Sequence, residues 1–258
     1  MGERSVIRVR GLTIGAGMPK IIVPLMGGTQ PDLLEQARRA RLTPGVDAAE
    51  WRIDFFEGDS LLDTLREVRR ELGELLLLVT FRTRQEGGAR EISPEAYFAL
   101  NLAVAETGLA DLIDVEICTA GDVAGHIEAL HARGVGVIGS KHDFDKTPTD
   151  GEMTGYLERG WEVGADLPKL AVMPHSEQDV IRLLNVTRAL WEKYQKPLIT
   201  MSMGALGAVS RVEGERYGSA MTFGALEQAS APGQIPVEEL RRELERLHTE
   251  YSEKRNSR

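Results

Sequence analysis

The feature that most constrains this chain is a regular alternation of short apolar runs with segments of helical spacing, which continues from Lys20 almost to the end. Eight runs predict strands, over residues 21–26, 48–53, 75–81, 112–116, 135–138, 167–173, 198–203 and 220–223. Helices are predicted over residues 32–41, 61–72, 94–106, 123–133, 152–163, 177–194 and 237–248, with a weaker crossover over residues 211–217. Strands that alternate with helices form parallel sheets, so eight of them in this length predict an α/β fold of the (β/α)8 TIM barrel type. A doubly wound open sheet is the alternative.

The domain organisation follows from the continuity of this pattern. Two short apolar runs, residues 6–9 and 12–14, predict a small N-terminal β-hairpin, whose function the sequence does not reveal. No linker or low-complexity stretch divides the remainder. We therefore expect a single barrel domain over residues 1–258, with the hairpin in 1–19, the barrel in 20–248 and a tail in 249–258.

Composition excludes several classes of function. A formal net charge of −9 disfavours nucleic-acid binding, which needs a basic face. No run approaches the roughly 18 apolar residues of a membrane span, and a charged N-terminus disfavours a targeting segment, so we expect a protein without membrane contact. The single cysteine, Cys118, cannot form an intramolecular disulfide and indicates a reducing, cytoplasmic setting. No histidine or cysteine spacing suggests a zinc site, so neither a metal nor another cofactor is expected.

Two residues in the segment 134–174 are able to do proton or carbonyl chemistry. His142 follows one predicted strand, Lys169 lies in the next, and the helix between them opens with a capping-box pattern from Thr149 to Glu152. Adjacent parallel strands would bring both residues to one mouth of the sheet. Burial lowers the pKa of a lysine, and a neutral lysine can attack a ketone to form a Schiff base. The structural alternative is a snorkelling surface lysine and a turn histidine.

The ends of the other predicted strands supply polar candidates for the same mouth. Glu50, Arg52 and Asp54 share one side by the two-residue period of a strand, and for Asp54 a structural salt bridge is the preferred interpretation. Arg82 is a stronger anion-binding candidate than Arg84. Glu116 is equally compatible with the mouth and with a structural ion pair.

The last two predicted strands lead into loops that could contact a ligand. Met201 and Met203 share a face and would form an adaptable apolar wall. The glycine-containing loop 204–207, which leads to Arg211, could hold a phosphate. The loop 229–234 carries Ser230 and Gln234 and has the composition of a lid, although it would serve equally well as a connector.

The motifs together resemble a known family. The blocks, in chain order, are PKIIVPLMG, EWRIDFFE, TFRTRQEGG, SKHDFDKTP, PKLAVMP, ITMSMG, GAVSR, GSAMTFG and ASAPGQI. They cover nearly the whole chain and resemble the type I 3-dehydroquinate dehydratase family of the shikimate pathway. The resemblance implies a (β/α)8 barrel, usually a homodimer, that converts 3-dehydroquinate to 3-dehydroshikimate through a lysine Schiff base without a metal.

The resemblance also implies a role for each matching position. Lys169 corresponds to the Schiff-base lysine, His142 to the general acid and base, and Glu86 to the carboxylate partner of that histidine. The implied substrate-binding residues are Glu50, Arg52, Arg82, Arg211, Ser230 and Gln234, to which the apolar wall adds Met201 and Met203.

Two other functions remain possible from the sequence. A class I Schiff-base aldolase acting on a sugar phosphate would also use a strand-borne lysine, but it would need phosphate donors in the loop 204–207. A non-catalytic barrel that binds a ligand or a protein is the second, and the joint presence of Lys169, His142, Glu86 and Arg211 disfavours it.

Overall fold

Eight parallel strands curve into the barrel that the sequence predicts, with helices packed around it. The protein is described by a computed structural model covering residues 5–226 and 231–256, with side chains as far as Glu253. The strands are β1 (Ile7–Val9), β2 (Leu12–Ile14), β3 (Lys20–Leu25), β4 (Ala48–Arg52), β5 (Leu76–Thr80), β6 (Leu112–Glu116), β7 (Gly136–Asp143), β8 (Leu167–Val172), β9 (Ile199–Ser202), β10 (Met221–Ala225) and β11 (Ile235–Pro236). The helices are α1 (Gln30–Leu42), α2 (Leu61–Leu72), α3 (Pro94–Glu106), α4 (Val123–His131), α5 (Asp150–Glu162), α6 (Glu177–Tyr194), α7 (Ala208–Val212), α8 (Gly214–Tyr217) and α9 (Val237–Asn256). Short 3-10 turns occupy Ile53–Phe55 and Arg84–Glu86.

The order of the strands confirms a barrel and argues against an open sheet. The hydrogen-bonded ladder runs from β10 through β3, β4, β5, β6, β7 and β8 to β9, and all of these pairs are parallel. The two ends of this ladder meet where Leu198 bridges Ser219 and the amide of Ala220 donates to the carbonyl of Leu198 at 2.8 Å. Because the carboxyl ends of all eight strands then form one rim, residues far apart in sequence are brought together there.

The N-terminal hairpin closes the opposite end of the barrel. Strands β1 and β2 pair in antiparallel register, with Ile7 opposite Ile14. Ile14 is fully buried against an interior cluster that includes Ile22, Leu76 and Ile199. The hairpin therefore fills the amino-terminal end with apolar side chains and leaves the carboxyl-terminal rim as the open one.

Two boundaries differ from the predictions by more than three residues. Strand β7 was expected to end at residue 138 but continues to Asp143, so His142 lies within a strand and pairs with Ala171 of β8. The final helix was expected to end at residue 248, followed by a tail, but α9 continues to Asn256. Helix α5 begins as predicted with a capping box, in which Thr149 and Glu152 satisfy each other's backbone amides.

Within the residues that the structure describes, no helix combines the length and the apolar character needed to cross a membrane.

Candidate active site at the rim of the barrel

Lys169 presents a buried amine to the interior of the barrel near its open rim. The residue is only 5 % exposed, and its Nζ lies 4.6 Å from the ring centre of Phe223 and 3.6 Å from Oδ2 of Asp114. Burial lowers the pKa of Lys169 because it disfavours the ammonium form, whereas Asp114 and Glu50 oppose that shift. The net effect is a pKa below the ordinary lysine value, which makes the neutral amine more accessible.

His142 lies on the neighbouring strand and is held by Glu86. Its ring Nδ1 is 3.1 Å from Oε2 of Glu86, and its backbone amide donates to the same oxygen at 3.0 Å. An ionised carboxylate can only accept, so Nδ1 carries the proton and Nε2 is left as an acceptor toward the cavity. Burial, and then the cations Arg82 and Lys169, lower the pKa of His142 well below its usual value, which keeps the ring neutral.

Glu86 is fixed by a tight turn that follows β5. It ends the 3-10 turn Arg84–Glu86, and Gly87 then takes a left-handed backbone with φ of 84°. A Cβ at Gly87 would collide with the ring of Phe144, so only glycine fits. Oε1 of Glu86 accepts from Nζ of Lys141 at 2.8 Å, and burial raises the pKa of Glu86.

Arg82, predicted to bind a substrate anion, already faces two protein carboxylates. Its Nη1 is 3.0 Å from Oε1 of Glu116 and donates to Oγ of Ser140 at 2.9 Å, while its Nη2 is 2.8 Å from Oδ1 of Asp114. Ser140 in turn donates to the same oxygen of Asp114 at 2.6 Å. Glu116, left open by the sequence, is thus the partner of a buried arginine, and the charge of Arg82 is compensated.

Arg52 and Glu50 extend this polar layer along β4. Arg52 forms two parallel hydrogen bonds to Asp54, both 2.8 Å long, so the salt bridge preferred for Asp54 from the sequence is present. Glu50 is 3 % exposed and accepts from the hydroxyl of Thr80 at 2.8 Å. Both side chains also line the central cavity.

Arg211 differs from the other buried arginines because it has no carboxylate partner among the residues that the structure describes. The residue is 1 % exposed, and its Nη2 donates to the carbonyl of Pro232 at 3.1 Å while Nη1 contacts Sδ of Met201 at 3.8 Å. No carboxylate of residues 5–226 or 231–253 lies within 4 Å of it. Burial lowers the pKa of Arg211 to about 10. A buried guanidinium in this state suits an anionic ligand that brings its own hydrogen-bond acceptors.

One cavity at the rim collects most of the predicted residues. Its lining consists of Glu50, Arg52, Arg82, Glu86, Gly87, His142, Phe144, Lys169, Ala171, Met201, Met203, Phe223, Ala231 and Gln234. Arg211 adjoins it through Met201, and Ser230 lies outside the described residues. The sequence did not single out Phe144 and Phe223. Phe144 directly follows β7, two residues after His142, but the sequence predicts that strand to end at residue 138 and so carries no signal for its orientation.

The loop 204–207, which could hold a phosphate by its sequence, uses two of its backbone amides within the protein. Gly204 N donates to the carbonyl of Pro232 at 3.0 Å, and Gly207 N donates to the carbonyl of Gly204 at 3.2 Å. A phosphate held by this loop would have to compete for these two amides. The geometry therefore does not favour the sugar-phosphate aldolase.

A family model and curated relatives of similar sequence all point to one enzyme family. A sequence model described as type I 3-dehydroquinase matches residues 21–251. The chain is 48 % identical over 251 residues to the 3-dehydroquinate dehydratase of Bacillus licheniformis, covering 95 % of this chain and 98 % of that protein. It is also 48 % identical over 248 residues to the enzyme of the same name from Listeria monocytogenes, covering 94 % and 98 %.

The chain belongs to the type I 3-dehydroquinase family. Its members are hydro-lyases, and this chain is an enzyme of that class. Solved structures of type I 3-dehydroquinases share the fold. The Clostridium difficile enzyme, solved with covalently modified comenic acid, superposes with a TM-score of 0.92 at 43 % identity, covering 96 % of this chain and 100 % of that one. The Geobacillus kaustophilus 3-dehydroquinate dehydratase superposes with a TM-score of 0.91 at 36 % identity, covering 95 % and 97 %.

Proposed function

We propose that this chain dehydrates 3-dehydroquinate to 3-dehydroshikimate through an imine formed on Lys169. The observation that carries the proposal is the meeting at one cavity of a buried lysine and a histidine held by a carboxylate, with a buried arginine beside it that has no carboxylate partner among the described residues. Relatives at 48 % identity are named for this substrate, and one related structure holds a covalently modified compound.

The chemistry begins with the amine of Lys169. Its neutral form adds to the ketone carbon, and the hydroxyl of the adduct leaves as water with one proton taken up from solvent. The product is a protonated imine that draws electrons from the adjacent carbon, and the proton is released again when the imine is hydrolysed. His142 Nε2 then removes the proton from that carbon and forms an enamine. The enamine expels the hydroxyl β to the former ketone, His142 returns its proton to that hydroxyl, and water departs. Hydrolysis of the conjugated imine releases the enone product and restores the amine.

The other cavity residues would hold the substrate in place. Arg211 pairs with the substrate carboxylate, since a planar guanidinium can donate two parallel hydrogen bonds to it. Glu50 and Gln234 accept from or donate to substrate hydroxyls, and Met201 and Met203 pack against the ring. Arg52, Arg82 and Ser230 complete the proposed binding set. Arg82 acts mainly through the electrostatic field of its positive charge, because its N–H groups already pair with Asp114 and Glu116.

We further propose a cytoplasmic homodimer of single-domain chains. The family resemblance and the single cysteine support this assembly and setting, and exposed apolar side chains at Ile181, Leu206 and Val209 offer surface for a partner copy. Sedimentation equilibrium should give twice the chain mass of 28.4 kDa. A monomer at micromolar concentration would refute the dimer.

A direct assay tests the activity. Incubation with 3-dehydroquinate should produce the near-ultraviolet absorbance of a conjugated enone, and Lys169→Ala should abolish it. Lys196→Ala is the matched control, because Lys196 is exposed and follows α6 at the opposite end of the barrel. Absence of the enone with the native chain, or cleavage of a sugar phosphate into two carbon fragments, would overturn the proposal.

A further inference from the structure

Asp114 carries a buried carboxylate oxygen that receives no hydrogen bond. The residue is fully buried in β6, where Oδ1 accepts from Ser140 at 2.6 Å and lies 2.8 Å from Nη2 of Arg82. Its second oxygen, Oδ2, has no donor among the described residues. Leaving a buried carboxylate oxygen unpaired costs free energy, so its position calls for a physical reason.

The unpaired oxygen faces the amine of Lys169. The distance from Oδ2 to Nζ is 3.6 Å, which is longer than an N–H···O hydrogen bond but within ion-pair range. In residues 5–226 and 231–253, no other carboxylate lies within 4 Å of that amine. The two groups are therefore within ion-pair range but do not form a hydrogen bond.

We propose that Asp114 is a positioning residue that serves as the counter-ion of the protonated imine on Lys169. This inference rests on the proposed function. When the ketone is converted to an imine, the nitrogen becomes planar and keeps one N–H, which can point at a single acceptor. Oδ2 accepts that N–H. The imine then stays protonated, as it must in order to draw electrons from the adjacent carbon.

Among the charged groups around Lys169, Asp114 is the one placed to pair with the imine nitrogen. The charged and titratable groups that act on Lys169 from the strands around it are Glu50, Arg52, Arg82, Asp114 and His142. Arg52 is neutralised by Asp54, and Glu50 accepts from Thr80. Burial opposes ionisation of Asp114, but Arg82 and then Lys169 outweigh it and hold the pKa of Asp114 below its ordinary value. The carboxylate is thus kept charged, with one oxygen anchored by Arg82 and Ser140 and the other directed at the reacting nitrogen.

A purely structural role, in which Asp114 only anchors Arg82, makes a different prediction. Glu116 is the matched control, because it is also buried and also pairs with Arg82, at 3.0 Å, but no ion pair joins it to Lys169 in the described part of the chain. A structural role predicts the same consequences for Asp114→Asn and Glu116→Gln. A counter-ion predicts that only Asp114→Asn changes the protonation of the imine.

The test uses both variants in the full chain and follows the imine with product. Asp114→Asn should lower the pH at which the protonated conjugated imine loses its long-wavelength absorbance, and the alkaline limb of kcat with it, by at least one pH unit. Such a shift corresponds to about 1.4 kcal/mol. Glu116→Gln should leave unchanged both the pH at which the imine loses its absorbance and the pH of the alkaline limb of kcat, even if the value of kcat itself falls. An unchanged limb in Asp114→Asn, or an equal shift in Glu116→Gln, would overturn the inference.

Borohydride labelling separates this inference from the proposed function. Asp114→Asn should still be labelled at Lys169. If the native chain takes no label there, no imine forms on Lys169, and the proposed function itself is refuted. If Asp114→Asn does not fold, infrared difference spectra of the native chain with carboxyl-labelled aspartate replace it. An aspartate carboxylate band should shift when product forms the imine, and a spectrum without any aspartate change would refute the counter-ion.

Discussion

At the scale of single residues, the buried guanidinium of Arg211, which no carboxylate in the described part of the chain neutralises, has the clearest consequence. Lysine at this position would keep the charge but could not donate two parallel hydrogen bonds to a carboxylate. We expect Arg211→Lys to raise KM and to lower kcat/KM at least tenfold, about 1.4 kcal/mol, with the fold intact. Arg216→Lys, an exposed arginine of α8, is the control and should match the native chain. Native kinetics in Arg211→Lys would place the substrate carboxylate elsewhere.

His142 should remain neutral at a pH where an ordinary histidine is half protonated. Burial, Arg82 and Lys169 all lower its pKa below the usual 6.5. Histidine 15N NMR, with the signal assigned by comparison with His142→Ala, should show an unprotonated ring at pH 6.5 and protonation only at lower pH. The unfolded chain takes up that proton first, so this site should favour unfolding as the pH falls below 6.5. A ring that titrates at or above 6.5 would contradict the geometry.

The sequence predicted which residues gather at this cavity but not how they pair with one another. Lys169, His142 and Glu86 carry family motifs, and the apolar context of Lys169 indicates its burial. The bonds from Arg82 to Asp114 and Glu116 join strands far apart in the chain, so no local pattern could predict that this arginine is already compensated. Phe223 was missed because an aromatic residue at a strand end has the same pattern whether it faces core or ligand.

At the scale of elements, the sequence predicts the mostly apolar strands, but it does not predict that β7 continues through the polar residues 139–143. Parallel strands are covered on both faces, so β3 is apolar after Lys20, β5 is apolar up to Thr80, and β8 is apolar apart from Lys169. Residues 139–143 of β7 are mostly polar, which indicates a loop, yet they pair with β8 through Ser140 and His142. Tertiary pairing overrides propensity here because these side chains serve the site rather than the core.

The helix that connects β7 and β8 allows a test of local stability. Thr149 accepts from the backbone amide of Glu152 at 3.3 Å, and Thr149 N donates to that glutamate's carboxylate at 2.8 Å. Thr149→Ala should lower the free energy of unfolding by about 1 kcal/mol in denaturant titrations and leave kcat unchanged, because Thr149 is outside the cavity. Thr249→Ala, an exposed mid-helix threonine of α9, should change stability much less. Equal effects would argue against a capping contribution.

At the scale of the whole molecule, the alternation of strands and helices was enough to predict the barrel. Eight predicted strands in a chain of barrel size predict the architecture. The closure between β9 and β10 depends on a bridge between Leu198 and Ser219, which no sequence periodicity indicates. The hairpin over residues 7–14 was predicted as an element, but its place at the closed end follows only from the packing of Ile14.

A continuous barrel should also unfold as one unit, as a single domain requires. Trp51 is buried in β4, while Trp161 and Trp191 lie in α5 and α6 on the other side of the sequence midpoint. Tryptophan fluorescence and far-ultraviolet circular dichroism should therefore give coincident denaturant transitions. Two separated transitions would contradict the single domain proposed for residues 1–258.

The most direct test of the account is covalent capture of the imine on Lys169. Borohydride added together with substrate or product should inactivate the enzyme irreversibly and add the mass of one reduced ligand to the peptide that contains Lys169. Lys169→Ala should take no label, and His142→Ala should still be labelled although it eliminates water slowly. A label on Lys141 or Lys20, or near-native turnover in Lys169→Ala, would contradict the mechanism.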